Sequence, residues 1–253
     1  MSVSTIANTQ KMLNITSRGK PRCLEVGGFT PITTIDYPDH LACVVYTQGC
    51  SLRCKYCQNK ELIPFAGTQK VIHWIEIESY LKKRLGMLEA VVFSGGEPTL
   101  QPGLGEAISS ATAMGFKVGL HTAGVSVAAL RKVLPKLSWV GLDVKALKAD
   151  YEYITGRRLQ WGQNQSSLAL LLASNIGFEC RTTVDWRLTT PEKLLSLAQL
   201  LSDQGVEQYA VQVNHGIQCL DSELQTKPYL DNERQLILKE KLASLFPRFR
   251  WRE

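Results

Sequence analysis

"LACVVYTQGCSLRCKYCQN", Leu41 to Asn59, joins an apolar run of strand length to a loop carrying three cysteines, Cys50, Cys54 and Cys57. The run Leu41–Gln48 has the Val- and Tyr-rich composition of a buried strand. At Gly49 the character changes, and the short loop that follows holds three of the chain's seven cysteines. In parallel α/β folds, ligand-binding residues gather where strands run out at their carboxyl ends.

The same unit recurs. Apolar runs of strand length occupy Ala90–Ser94, Lys117–Thr122, Trp139–Lys145, Glu179–Asp185 and Gln208–Asn214. Helix-like segments lie between or after them at His73–Leu85, Val125–Leu137, Thr189–Gly205 and Asn232–Phe246. In the third of these, Thr190 reads as the N-cap, Pro191 as the first turn and Gly205 as the stop. Buried strands alternating with amphipathic helices predict a parallel sheet, because helices must cover it. Six such units in 253 residues suit an incomplete TIM-type barrel, a (β/α)6 α/β fold; a doubly wound open sheet fits the same periodicity. Residues 1–22, rich in Ser, Thr and Asn, read as a disordered N-terminal tail, and 23–253 as one domain. With 44% hydrophobic residues the chain can bury one substantial core.

The formal charge of +6 and the pI of about 8.9 favour acidic partners such as a flavodoxin or a nucleotide. They are not the footprint of a nucleic-acid binder. No apolar stretch is long enough to span a membrane and the start carries no signal peptide, so a cytoplasmic protein is expected. A tight cysteine trio in such a chain points to metal binding and away from a disulfide framework.

The unusual residues all follow strands. "SGGEP" (Ser94–Pro98) follows the second, "HTAG" (His121–Gly124) the third, "DVK" (Asp143–Lys145) ends the fourth, Arg181 lies in the fifth, and "NHG" (Asn214–Gly216) follows the sixth. A structural zinc ion wants a closed set of four ligands. The fourth would have to come from Cys23, from Cys43 in mid-strand, or from a distant histidine. An iron–sulfur cluster on three thiolates leaves one iron free for a ligand bearing an amine and a carboxylate. Gly95 and Gly96 let the backbone come close to a ligand, or make a plain tight turn. Asp143 and Lys145 share one face of their strand and form either an ion pair or part of a polar site. Cys23, Cys43, Cys180 and Cys219 have no ligand spacing and read as structural, so no second cluster is encoded.

"CSLRCKYC", with an aromatic residue before its last cysteine, resembles the signature of radical S-adenosylmethionine (SAM) enzymes, and "FSGGEPTLQ" strengthens the likeness. Thr30–Asn59, Gly95–Gln101 and Ser138–Arg157 resemble the activating enzymes of glycyl radical enzymes, above all those of anaerobic ribonucleoside-triphosphate reductase. The resemblance implies a partial (β/α)6 barrel, a four-iron, four-sulfur cluster on Cys50, Cys54 and Cys57, and SAM chelated to the free iron. It implies Tyr56 beside the adenine, Gly95 and Gly96 at the methionine amine with Glu97 near, and Lys145 and Arg181 toward the SAM carboxylate. Asp143 would support them, and His215 would lie near SAM. The implied partners are a glycyl radical enzyme and a flavodoxin or ferredoxin donor, with no nucleic acid and no membrane. Asp36, in "TIDYPDH", matches a position beside the partner's glycyl loop. His121 is a departure: related activases carry "DTNG", and an imidazole is a poorer cation ligand than a carboxylate, so the usual monovalent cation site is not expected. Two other readings stand beside this one: a small-molecule radical SAM enzyme such as a 7-carboxy-7-deazaguanine synthase, and a non-catalytic zinc or iron–sulfur protein.

Overall fold

The computed structural model describes residues 24–66 and 72–253; the segment 1–22 and Cys23 lie outside the described residues. Eight strands form one sheet: β1 (Val26–Thr33), β2 (Ala42–Thr47), β3 (Ala90–Gly95), β4 (Lys117–Thr122), β5 (Trp139–Asp143), β6 (Gly177–Val184), β7 (Gln208–Val213) and β8 (Arg248–Arg252). Seven helices accompany them: α1 (Trp74–Lys82), α2 (Leu104–Ala113), α3 (Val127–Val133), α4 (Lys148–Thr155), α5 (Gln160–Leu172), α6 (Pro191–Asp203) and α7 (Asn232–Leu245). The α6 start is as expected, with the Thr190 side chain accepting from the Lys193 amide and Pro191 in the first turn.

Each strand lies beside its predecessor in the order β1 to β8. β1 runs antiparallel to β2, and every later pair is parallel. A doubly wound sheet needs a reversal of strand order. None occurs, so the barrel-like alternative is the correct one. Residues from β3 through β7 line one cavity. On a flat sheet with about 4.8 Å between strands, the outer two of these would stand about 19 Å apart. Their convergence means the sheet curls. It stops short of closure, because β8 and β1 are its two ends.

The six expected strands are β2 to β7. β1 and β8 extend the sheet beyond them. β1, "VGGFTPIT", reads as turn sequence because of its two glycines and a proline, yet an edge strand tolerates both. β8, "RFRWR", lacks an apolar inner face. α2 and the polar first half of α5 carry few large apolar residues, which hid them as helices.

Strand alternation divides the core. Val45, Phe93, Leu120, Leu142 and Val211 face the helices in the main cluster. Ala42, Val44, Ala90, Val92 and Trp139 form a smaller cluster on the concave side, around Tyr37. There the glycines make room: a Cβ at Gly119 would lie 2.9 Å from the Tyr37 ring, and one at Gly141 would lie 2.5 Å from the Arg181 guanidinium. No helix among the described residues is long and apolar enough to cross a membrane.

Leu120 is fully buried between sheet and helices. Leu120→Ala should destabilise the fold by about 2–5 kcal/mol, measured by urea denaturation. A loss below about 1 kcal/mol would contradict this packing.

Candidate active site

From Gly49 to Asn59 the chain has no helix or strand, so its shape comes from hydrogen bonds to other segments. The amides of Gly49 and Cys50 donate to the Leu62 and Ile63 carbonyls; those of Arg53 and Lys55 donate to the Thr155 and Ile154 carbonyls at the end of α4. Amides of Leu220 and Asp221 in turn donate to the carbonyls of Cys57 and Lys55. Arg53 Nη1 returns to the carbonyls of Cys50 and Leu52, both at 2.8 Å, and Lys55 pairs with Asp221 at 3.0 Å. The loop is thus clamped from three sides.

Cys50, Cys54 and Cys57 all reach one cavity of about 330 Å³ at the carboxyl ends of the strands. They are free thiols packed with Leu52, Tyr56, Ala123, Val125, Tyr151 and Ile154 in a second apolar cluster. Burial pushes the Cys50 thiol up to about 12 and the Cys54 thiol up to about 11, and raises that of Cys57. Thiolates here therefore need a cation to compensate them. Among the described residues, no three His, Cys, Asp or Glu side chains stand close enough together to hold one metal ion. Three cavity-lining thiols without a fourth would suit an iron–sulfur cluster with one iron left open. Three soft donors packed in an apolar cluster, in a cavity that Asp143 and Lys145 also line, fit the expected four-iron, four-sulfur group. Cys219 is buried close by, its thiol 3.5 Å from Asn214 Oδ1, and does not line the cavity. Cys43 and Cys180 are buried in strands of the main core.

Gly95 and Gly96 line the cavity. Their lack of a side chain serves the cysteine loop more directly than a ligand. Gly95 has φ +110°, and a Cβ there would lie 2.3 Å from the Thr47 amide nitrogen; one at Gly96 would lie 2.4 Å from the Gly49 carbonyl oxygen. Backbone bonds from Gly96 to Thr47 and from Glu97 to Gly49, both 2.9 Å, join the two loops. Glu97 is buried just behind and does not line the cavity. Its carboxylate accepts from Thr99 Oγ1 and Thr122 Oγ1 at 2.6 Å, from the Ala123 amide at 2.8 Å and from the Thr99 amide at 3.1 Å. It ties the loop after β3 to the loop after β4. Burial raises its pKa even against these donors.

In the same cavity, Lys145 Nζ lies 3.2 Å from Asp143 Oδ2 and 5.8 Å from the centre of the Tyr56 ring. Lys145, Asp143 and Tyr56 all line the cavity. Burial works against the Lys145 charge, but Asp143 outweighs it and holds the ammonium well above its usual range. Asp143 is likewise held low, its burial offset by Lys145 and then Arg181. Arg181 is one layer deeper and does not line the cavity. Its Nε lies 3.2 Å from Asp143 Oδ1, and Nη2 donates to the Gly141 carbonyl at 3.3 Å. In this geometry it braces Asp143. His121 lines the cavity too. Its Nε2 donates to the Asp36 carbonyl at 2.8 Å, and burial followed by the Arg181 charge pulls its pKa down to about 3. The ring is neutral, and Asp36, half-buried, accepts from Thr33 Oγ1 at 2.6 Å.

Asn214 is a site residue that sequence reading marked only as part of a loop. It is buried and lines the cavity. Its Nδ2 donates to Asp185 Oδ2 at 2.8 Å, and its Oδ1 accepts from Gln58 Nε2 and the Gly216 amide, both at 3.2 Å. Asp185 also holds Arg187 at 2.6 Å, and Arg187 reaches the Glu223 and Thr226 carbonyls. This chain of bonds fixes the segment after β7 beside the cysteine loop; the signal for it was a polar cluster at two adjacent strand ends. His215 is exposed and contributes to the cavity wall.

A family model described as the radical SAM superfamily matches residues 44–184, more than half of the chain. A protein of Methanocaldococcus jannaschii, named as a candidate glycyl-radical enzyme activating enzyme, is 26% identical over 228 residues, covering 87% of this chain and 92% of its own. A pyruvate formate-lyase-activating enzyme of Clostridium pasteurianum is 29% identical over 222 residues, covering 80% and 90%. The crystal structure of QueE from Escherichia coli shares the fold, with a TM-score of 0.56 at 15% identity over 89% of this chain and 92% of that one.

Glu97→Ala strands buried donors, each costing about 1–3 kcal/mol. The variant should lose at least about 2 kcal/mol of stability in denaturant titration, and Thr122→Ala less. Equal, negligible losses would mean that Glu97 does not join these loops.

Proposed function

The chain belongs to the radical SAM superfamily, whose cofactors are a four-iron, four-sulfur cluster and SAM, and we propose that it is the activating enzyme of a glycyl radical enzyme, most directly anaerobic ribonucleoside-triphosphate reductase. The observation that carries this reading is a single cavity lined by three thiols together with the Lys145–Asp143 pair. The likeness to two activating enzymes over most of their length supports the class of partner. The stretches Thr30–Asn59 and Ser138–Arg157 support the choice of the reductase. A cluster held by Cys50, Cys54 and Cys57 would supply the electron for reductive cleavage of SAM, the chemistry by which a hydrogen atom would be taken from the partner's glycine.

The chain's own residues bind, orient and exclude water. Cys50, Cys54 and Cys57 would hold the cluster, and the absence of a fourth thiol among the cavity-lining residues would leave one coordination position for SAM. Lys145, kept charged by Asp143, takes the SAM carboxylate. Arg181 acts through Asp143. The Gly95–Gly96 backbone edge takes the methionine amine, and the Tyr56 ring packs against the adenine. His121 remains a neutral wall residue and holds no cation. His215 borders the ligand from the exposed side. The gap between β8 and β1 admits a loop of the partner, and a flavodoxin or ferredoxin supplies the electron.

Reconstitution with iron and sulfide under anaerobic conditions, followed by dithionite and SAM, should yield 5′-deoxyadenosine. Adding the reductase should yield a glycyl radical by electron paramagnetic resonance. Cys54→Ala should lose the cluster absorbance and the product while keeping its circular dichroism; cleavage at the parental rate would overturn the ligand assignment. Lys145→Ala should keep the absorbance and weaken SAM binding by about tenfold to a hundredfold, the loss of one charge-assisted contact. Unchanged affinity would remove Lys145 from the SAM site.

A further inference from the structure

The last strand carries a charge pattern that the chemistry above leaves unused. β8 reads Arg248-Phe249-Arg250-Trp251-Arg252. Its two aromatic residues face the helices: Phe249 packs on Tyr209, Trp251 stacks on Trp186, and Lys239 of α7 sits 4.9 Å over the Trp251 ring. The three arginines therefore face the concave side. Register agrees, since Arg252 pairs with Gln212, which lines the cavity, and Arg250 and Arg248 pair with Ala210 and Gln208. Arg252 is committed, its Nη2 meeting both oxygens of buried Glu179 at 2.9 and 3.0 Å. Arg248 has only an exposed pair with Glu207 at 3.2 Å, and Arg250 is exposed with no ion pair among the described residues. β8 is also a free edge of the sheet.

We propose that the inner face of β8 is a docking strip for an extended, acidic segment of the partner protein, whose alternate carboxylates pair with Arg250 and Arg248. This deepens the activase reading and rests on it for the identity of the partner. Alternate residues of a strand are about 6.6–6.8 Å apart. An extended segment lying alongside has the same repeat, so carboxylates at every second position meet successive guanidinium groups. Guanidinium groups suit carboxylates by their planar fork of donors. By register the strip runs from Arg248, paired with Gln208 at the start of β7, to Arg252, paired with the cavity-lining Gln212. It thus aligns a chain that must deliver one residue to the cavity. Arginines on an edge strand also deter edge-to-edge association. That role alone predicts no preference between acidic and neutral segments.

The test uses two fluorescein-labelled peptides with a central glycine, one with Glu at alternate positions and one with Gln in their place. Fluorescence anisotropy should show the Glu peptide binding the parent chain about tenfold more tightly, with the difference shrinking as salt rises. Arg248→Glu/Arg250→Glu should weaken Glu-peptide binding at least about fivefold and leave Gln-peptide binding alone. Arg248→Lys/Arg250→Lys, which keeps the charge, should retain most of the preference. Equal binding of the two peptides by the parent, or full preference in the Glu variant, overturns the strip. Production of 5′-deoxyadenosine without peptide uses neither arginine and reports separately on the activase reading: its failure in the parent overturns that reading while the peptide preference still decides the strip.

Discussion

A segment without helix or strand cannot hold three side chains in a fixed triangle by itself. The loop from Cys50 to Cys57 is held because its backbone amides and carbonyls are shared with the residues after Asn59, with the end of α4 and with the segment after β7. Most other site features follow from this clamp. Gly95 and Gly96 have no side chains because the next loop must lie against the first. Glu97 is buried so that the loops after β3 and β4 share one carboxylate. Asn214, Asp185 and Arg187 keep the third clamp in place.

The concave face of the sheet changes character from one end to the other. On β2 and β3 it is small and apolar, filled by Tyr37 and Trp139. From β5 onward it becomes charged, with Asp143, Lys145, Arg181, Glu179 and the β8 arginines. Every buried charge in this half has an opposite charge beside it, as removal from water requires. The apolar half carries the thiols at its mouth and the polar half carries the cations. One cavity between them can therefore hold both a cluster and a zwitterionic ligand.

The six central strands were legible because each is a short apolar run bounded by turn residues. The cysteine trio and the loops after each strand were legible because their residue types are unusual at strand ends. The edge strands were not, since β1 contains Gly27, Gly28 and Pro31, and β8 has arginine where an inner strand has valine. Arg181 shows a subtler limit. The sequence put it within the fifth strand, but only the packing over Gly141 reveals that it meets Asp143 and does not line the cavity. The reason for Gly95 and Gly96 was equally hidden, because the atoms a side chain would strike belong to Thr47 and Gly49, more than forty residues earlier in the chain.

On the proposed reading, Cys50, Cys54 and Cys57 hold a cluster with one iron left to the ligand. Mössbauer spectroscopy of the chain reconstituted with iron-57 tests it most directly. Three quarters of the iron signal should remain unchanged when SAM is added, while one quarter shifts as that iron gains amine and carboxylate ligands. Iron that responds uniformly, or a chain that takes up zinc and no iron, would contradict the account.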